Sequence, residues 1–281
     1  MADYLGKKWT KTELRNYLSD LGAVAGATPS VLSDGKADGV RSVSVRTGSG
    51  VDFTVLPGRA MDIPHCWYKG LPLHFQSPTG ITAPAYYEEP GLRWLRTFFG
   101  GLLATCGITY SGAPSVDEGQ ELGLHGRVGN AAAENVSISE SWEGDEYMIS
   151  LRGSVREASV MGENMVLTRT IRTQLGSRGF ELHDVIENRG FDPEPLMMLY
   201  HFNFGFPLLS PSARVVAPIL STEPRDEQAA SDNGVAECRE FSQPIPGFVE
   251  KVFFHKRRAG LHVRTFRALI NREVNGAPLA I

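Results

Sequence analysis

The chain has 281 residues, of which 42% are hydrophobic and 21% charged, and its formal net charge is −4. This composition is typical of a globular protein with a large core. The sequence has no basic stripe of the kind that binds nucleic acid. The sequence has no polybasic patch and no apolar run of about 18 residues, the two features that would indicate a membrane partner. Because the N-terminus has no apolar signal core, we expect a cytoplasmic protein.

One helix is predicted near the start, in TKTELRNYLSDLGAVAG (10–26). Thr10 or Thr12 would cap it, and the glycines at 22 and 26 would close it. The apolar side chains that recur at helical spacing are Leu14, Tyr17, Leu18 and Leu21.

The rest of the chain is dominated by alternating, strand-like segments joined by glycine turns. Hairpins are predicted in four stretches, at 40–63, 134–157, 164–190 and 250–269. Many short strands with little helix indicate an all-β protein, an antiparallel sandwich or barrel. The three cysteines are odd in number and far apart, which argues against a disulfide framework and against a paired zinc site.

The segment LYHFNFGFPLL (199–209) places polar side chains inside an apolar, aromatic run. Read as a strand, it presents alternate residues to opposite faces. One face is predicted to be core and carries Tyr200, Phe202, Phe204 and Phe206. The other face is predicted to line a cleft and carries Leu199, His201, Asn203 and Gly205. A buried His201, bonded to a backbone carbonyl, is the structural alternative.

Two further stretches carry side chains suited to chemistry. In GLHGRVGN (123–130), glycines surround His125 and Arg127, whose spacing would aim both the same way in an extended segment. A turn with an exposed histidine is the alternative. PGRAMDI (57–63) offers Arg59 and Asp62, which could also pair with each other on a surface turn. The histidine spacings predict no metal site.

These stretches together resemble the aldose 1-epimerase (galactose mutarotase-like) superfamily, and more narrowly its bacterial branch carried as a family of unknown function. The resemblance runs in order through PGRAMDI, WYKGLPL, SPTG, GGLLATCG, GLHGR, NMVLTRTI and HFNFGFPLL. It implies one galactose mutarotase-like domain over residues 1–281, an antiparallel β-supersandwich with one short N-terminal helix and a carbohydrate cleft.

The resemblance also implies site residues. His201 matches the proton donor to the sugar ring oxygen, and His125 matches the histidine that supports charge there. The substrate-binding residues by the same resemblance are Arg59, Asp62, Arg127, Asn203 and Asp226.

The family's general base is a glutamate on a late strand, and this sequence has no glutamate after Glu273, in the turn-like NREVNG. The resemblance therefore implies a chain that lacks the last strands of the fold. An uncovered sheet edge of this kind predicts a homodimer.

The predicted function is that of an aldose 1-epimerase, which interconverts the α and β anomers of a free sugar by acid–base ring opening and reclosure. Histidine suits this proton transfer near neutral pH, and the chemistry needs no metal or redox cofactor. A non-catalytic carbohydrate-binding protein on the same fold, or an isomerase acting on a modified sugar, is the alternative.

Overall fold

The structure is a computed structural model that describes residues 1–257 and 265–281. The chain divides into two units, residues 1–203 and residues 204–281. The single domain predicted over 1–281 stays a prediction. In the described residues no helix is long and apolar enough to cross a membrane.

The N-terminal unit consists mainly of strands. They are β1 (Ala2–Tyr4), β2 (Lys7–Trp9), β3 (Gly26–Val31), β4 (Arg41–Arg46), β5 (Val51–Leu56), β6 (Asp62–Tyr68), β7 (Leu71–Pro72), β8 (Phe75–Gln76), β9 (Gly100–Gly101), β10 (Leu103–Cys106), β11 (Ser115–Asp117), β12 (Gln120–Leu122), β13 (Glu134–Glu143), β14 (Glu146–Ala158), β15 (Asn164–Gln174), β16 (Glu181–Asn188) and β17 (Leu199–Phe202). Single 3₁₀ turns lie at Leu21–Ala23, Gly35–Ala37, Pro84–Tyr86, Arg93–Arg96 and Val128–Asn130. The hairpins predicted at 40–63, 134–157 and 164–190 are confirmed as β4–β5, β13–β14 and β15–β16.

Two antiparallel sheets form the framework of this unit. One has the strand order β17-β10-β6-β5-β4-β3, with β7 added to β6, and the other has the order β13-β14-β15-β16. Strand β14 alternates buried and less buried residues along most of its length, as expected of a sheet with one face on a core. Contacts between the layers include Phe53 of β5 with Phe180, whose ring centroids are 4.6 Å apart. The predicted antiparallel sandwich is therefore confirmed.

The predicted helix exists as α1, but it is shorter than expected. It covers Lys11–Tyr17, and Thr10 and Glu13 form a reciprocal capping box at its start. The expectation that Gly22 and Gly26 close it is wrong. The helix ends at Tyr17 because Leu18 takes an extended conformation, and the side chain of Asp20 then accepts a hydrogen bond from the Gly22 amide at the start of a separate 3₁₀ turn.

Strand β17 corrects the prediction of a buried aromatic face over 199–209. The strand is only four residues long, and Tyr200 and Phe202 are 39% and 52% exposed. Phe206, predicted to share the core face, is 80% exposed. Alternation determines the face that a side chain takes, but not whether another layer covers that face. Among the described strands β17 lies at the end of its sheet.

The C-terminal unit contains β18 (Ala213–Val216), β19 (Ser221–Pro224), α2 (Glu227–Ala230), α3 (Gly234–Glu237), β20 (Phe253–Lys256), β21 (Ala268–Val274) and β22 (Ala277–Ala280). Strand β21 lies between β18 and β22, whereas β20 pairs with β19. Of the hairpin predicted within 250–269, the first strand is observed as β20, which pairs with β19, and the pairing predicted for its second strand stays a prediction. Part of that stretch, 258–264, lies outside the described residues.

Candidate active site

His201 is held by the pairing of β17 with β10, in which it lies opposite Ala104. The side-chain amide of Asn203 donates to the backbone carbonyl of His201 at 3.0 Å and to that of Gly100 at 3.1 Å. These bonds fix the peptide on the C-terminal side of the histidine. As a sugar ligand Asn203 stays a prediction, and its observed contacts give it a role in orienting the strand.

His125 lies in a turn whose shape depends on glycine. Its backbone is left-handed, with φ at +61°, and its amide donates to the Gly112 carbonyl at 2.9 Å. The next residue, Gly126, has φ at +73°, and a Cβ there would meet the carbonyl oxygens of Gly107 and Tyr110. The segment is therefore a turn, the alternative predicted from its glycines, and not an extended stretch that aims His125 and Arg127 the same way; His125 in this turn is half-buried and not exposed. A left-handed residue reverses the chain between them.

The turn brings His125 against His201. Their ring centroids are 5.5 Å apart with an interplanar angle of 78°, and both side chains are half-buried. Two imidazoles in edge-to-face contact, still reachable from solvent, can both meet the same small ligand. The sequence-predicted catalytic pair is thus brought together, although its catalytic role stays a prediction.

Aromatic side chains that the sequence analysis did not single out flank the pair. Trp94 lies 4.9 Å from His125 and Phe98 lies 5.5 Å from His201, measured between ring centroids. The two aromatic rings stack on each other at 4.6 Å. The sequence contains a signal for this aromatic pair in RWLRTFF (93–99). Trp94 lies on the 3₁₀ turn at Arg93–Arg96, and Phe98 follows four residues later, just after the turn.

Arg127 lies at the centre of an acidic cluster beside the His125 turn. Its Nε donates to Glu89 at 2.6 Å, and its Nη1 lies 3.4 Å from Glu163 and 3.9 Å from Glu157. Burial alone would lower the pKa of Arg127, but Glu89 and the other carboxylates raise it overall. The arginine is therefore cationic and ion-paired here, and its predicted role as a sugar ligand stays a prediction.

Glu157 ties this cluster to the segment at Ile108 and Thr109, next to the histidine turn. Its Oε2 accepts from the Ile108 amide at 2.9 Å and its Oε1 from the Thr109 hydroxyl at 2.5 Å. The neighbouring amide, that of Gly107, donates to the His125 carbonyl at 3.0 Å. The carboxylates thus support the backbone that places His125.

Comparison with known proteins identifies the family. Residues 37–280 match the family described as a domain of unknown function, DUF4432. The chain belongs to this family. No curated protein matched the sequence.

Solved structures share the fold of this DUF4432 protein. A crystal structure from Klebsiella pneumoniae, described as a "putative aldose 1-epimerase", is 27% identical with a TM-score of 0.80. The match covers 94% of this chain and 72% of that one. A galactose mutarotase-like protein from Clostridium acetobutylicum has a TM-score of 0.55 at 10% identity, over 90% of this chain and 86% of that one. The predicted family resemblance and galactose mutarotase-like fold are confirmed.

Arg59 and Asp62, also predicted as sugar ligands, are both buried, so the alternative of a surface turn is wrong. Arg59 donates to the backbone carbonyls of Gly129 at 2.8 Å and Thr82 at 2.7 Å. Burial lowers the pKa of Arg59 to about 10, although nearby Asp62 raises it. The ion-pair partner of Asp62 is Arg169, at 3.3 Å. As sugar ligands both residues stay predictions, and their observed partners are structural.

Asp226, the remaining predicted ligand, lies in the C-terminal unit. It caps α2 by accepting from the Ala229 amide at 2.8 Å, and it accepts from Arg225 at 2.9 Å. The Ala229 and Arg225 hydrogen bonds lower the pKa of Asp226. Its role as a sugar ligand stays a prediction, and the bond it makes to α2 accounts for an aspartate at this position.

Proposed function

We propose that the protein is an aldose 1-epimerase that interconverts the α and β anomers of a free sugar. The observation that carries the proposal is the contact of His125 with His201, at 5.5 Å between ring centroids, beside the Trp94–Phe98 stack. The 27% identity with a protein described as a "putative aldose 1-epimerase" supports it.

In the proposed reaction His201 is the general acid. Its protonated imidazole donates to the ring oxygen as the bond from that oxygen to the anomeric carbon breaks. The proton of the anomeric hydroxyl leaves to a base in the same event, and an open-chain aldehyde forms. After rotation about one bond, the hydroxyl that held the ring oxygen attacks the other face of the aldehyde and returns its proton to His201. The base gives its proton to the carbonyl oxygen in the same step, and that oxygen becomes the new anomeric hydroxyl. Positioned acid–base groups of this kind contribute about 10²–10⁴-fold each.

His125 has the supporting role in this scheme. The ring oxygen and the anomeric hydroxyl share one carbon, so both proton transfers occur within a small volume. A second imidazole in contact with the first can hydrogen-bond the oxygen whose charge changes. The neighbouring rings of Trp94 and Phe98 supply apolar surface for the C–H face of a sugar, and they lower the local dielectric around the two histidines.

Exchange NMR between the two anomeric protons tests the proposal with the full 281-residue chain and a panel of free pentoses, hexoses and deoxy sugars. An epimerase accelerates exchange for at least one sugar over the buffer rate. Line broadening without faster exchange would instead identify a carbohydrate-binding protein. Neither effect for any sugar of the panel would contradict both functions.

A further inference from the structure

We propose that Tyr200 is a positioning residue for His201, anchored to a buried arginine–carboxylate network; this deepens the proposed function and rests on it. The centre of the network is Arg169 of β15, whose side chain is fully buried. Its Nε and Nη2 donate to the two carboxylate oxygens of Asp184 at 2.9 and 2.8 Å. This bidentate pair joins adjacent strands, because Arg169 lies opposite Asp184 in the pairing of β15 with β16.

The other arm of the same guanidinium reaches the opposite sheet. Nη1 of Arg169 donates to the Thr105 hydroxyl at 2.8 Å and to Asp62 at 3.3 Å. Thr105 in turn donates its hydroxyl and its amide to Asp62. Burial raises the pKa of Asp62, and the Arg169 charge counteracts that rise. A planar cation with carboxylates on both sides is a rigid anchor, because each of its hydrogen bonds has a fixed direction.

Tyr200 connects β17 to this anchor. Its hydroxyl donates to Asp184 Oδ2 at 2.9 Å, the oxygen that also accepts from Arg169. Its ring centroid lies 6.0 Å from the guanidinium carbon. Burial, followed by the Asp184 charge, raises the pKa of Tyr200 to about 12, so the hydroxyl remains a donor at neutral pH. In the backbone register Tyr200 lies opposite Thr105, a member of the same network.

The orientation of Tyr200 bears on His201 because the two are neighbours in one strand. Consecutive side chains of a strand point to opposite faces. With Tyr200 bonded toward the buried network, His201 is directed to the other face, where Phe98 and His125 lie. Among the described residues, β17 is a four-residue strand that pairs with β10. The tyrosine hydroxyl adds a side-chain attachment to this backbone pairing.

The test compares Tyr200→Phe with the matched variant Tyr147→Phe. Tyr147 donates to Glu140 at 2.8 Å, a tyrosine–carboxylate bond of the same kind, between β14 and β13. Each substitution removes one hydroxyl and keeps the ring. Because the side chain of Tyr200 is 39% exposed and only its hydroxyl is removed, we expect the variant to fold. The two variants should lose similar amounts of thermal stability.

The deciding readout is the position of the His201 ring, followed by imidazole NMR of the histidine-labelled full chain and assigned with His201→Ala. We expect Tyr200→Phe to shift or broaden the His201 signals and Tyr147→Phe to leave them unchanged. In anomeric exchange, kcat should fall roughly 10- to 100-fold for Tyr200→Phe, as misplaced catalytic groups do, while KM stays within about twofold.

Unchanged His201 signals in Tyr200→Phe, or equal changes in the two variants, would overturn the positioning role. The ring signals require no substrate. A wild-type chain without exchange activity therefore contradicts the proposed function alone, and the NMR comparison still decides the role of Tyr200.

Discussion

The imidazole rings of His125 and His201 are in contact, with centroids 5.5 Å apart, although 76 positions separate the two residues in the chain. One comes from a glycine-dependent turn and the other from a short strand. The site therefore depends on two local structures at once, and its variants should separate effects on the turn, on the acidic cluster and on the reaction itself.

The turn is tested by Gly126→Ala. A methyl group there would meet the carbonyl oxygens of Gly107 and Tyr110 in a backbone conformation that already disfavours a side chain. We expect a loss of at least about 2 kcal/mol in the free energy of unfolding and displacement of His125. Urea denaturation and histidine NMR measure the two effects.

The matched control is Gly119→Ala, at a similar φ of +82° but with nothing within 4 Å of the added methyl. Only the backbone cost of roughly 1 kcal/mol applies there. Equal destabilisation by both substitutions would contradict a special packing requirement at Gly126.

The acidic cluster is tested by Arg127→Met. Without the guanidinium, Glu89, Glu157 and Glu163 lose their shared counter-charge, and the Glu157 side chain is only 3% exposed. We expect stability to fall by about 1–3 kcal/mol, since a buried carboxylate then lacks its charged partner. Anomeric exchange should slow as well, because Glu157 supports the segment next to the His125 turn.

Arg93→Met is the control for a surface ion pair. Arg93 lies 2.7 Å from Glu88, but both side chains are more than half exposed. Such a pair contributes at most about 1 kcal/mol. If the Arg127 and Arg93 variants behaved alike, the cluster would be a surface feature without influence on the site.

The pH dependence of stability should reflect His65, which contacts His74 at 5.0 Å between ring centroids. Burial, then the charge of His74, lowers the pKa of His65 from 6.5 to about 4. Between these values the unfolded chain binds a proton that the folded chain does not, so stability rises with pH from about 4 to 6.5 and is lost on acidification through this window. Because His65 is partly exposed, its share of the slope is below the full value of about 1.4 kcal/mol per pH unit.

Urea denaturation at several pH values checks this prediction. His65→Gln should flatten the slope between about pH 4 and 6.5, whereas His183→Gln, at an exposed histidine of β16, should leave it unchanged. If wild type, His65→Gln and His183→Gln all showed the same slope of stability against pH, the assignment of that slope to His65 would be contradicted.

Periodicity in the sequence was enough to predict an all-β protein, an antiparallel sandwich or barrel, because the strands β4, β5, β13, β14, β15 and β16 alternate and meet at glycine turns. The choice of the sandwich came from the resemblance. Periodicity could not predict that β20 pairs with β19, since strand partners distant in sequence leave no local signal. The pairing of Arg169 with both Asp62 and Asp184 was missed for the same reason: three strands contribute one residue each.

The sequence indicated His125 and His201 separately, through the glycine-rich turn and the polar face of 199–209. Only the resemblance placed both in one site, since a contact between residues distant in the chain cannot be read from spacing. A turn at 123–130 was predicted from its glycines, but the left-handed conformation of His125 itself was not, because this conformation is uncommon for a residue other than glycine. The role of Arg127 depends on Glu89, Glu157 and Glu163, which come from separate loops and strands.

The most direct test of the central claim is the anomeric exchange rate of His201→Ala beside wild type and His183→Ala, with folding checked by circular dichroism. For a sugar that the wild-type chain accelerates, we expect His201→Ala to lose about 10²–10⁴-fold of the catalysed rate and His183→Ala to keep it. A folded His201→Ala protein that exchanges the anomers as fast as wild type would contradict the account.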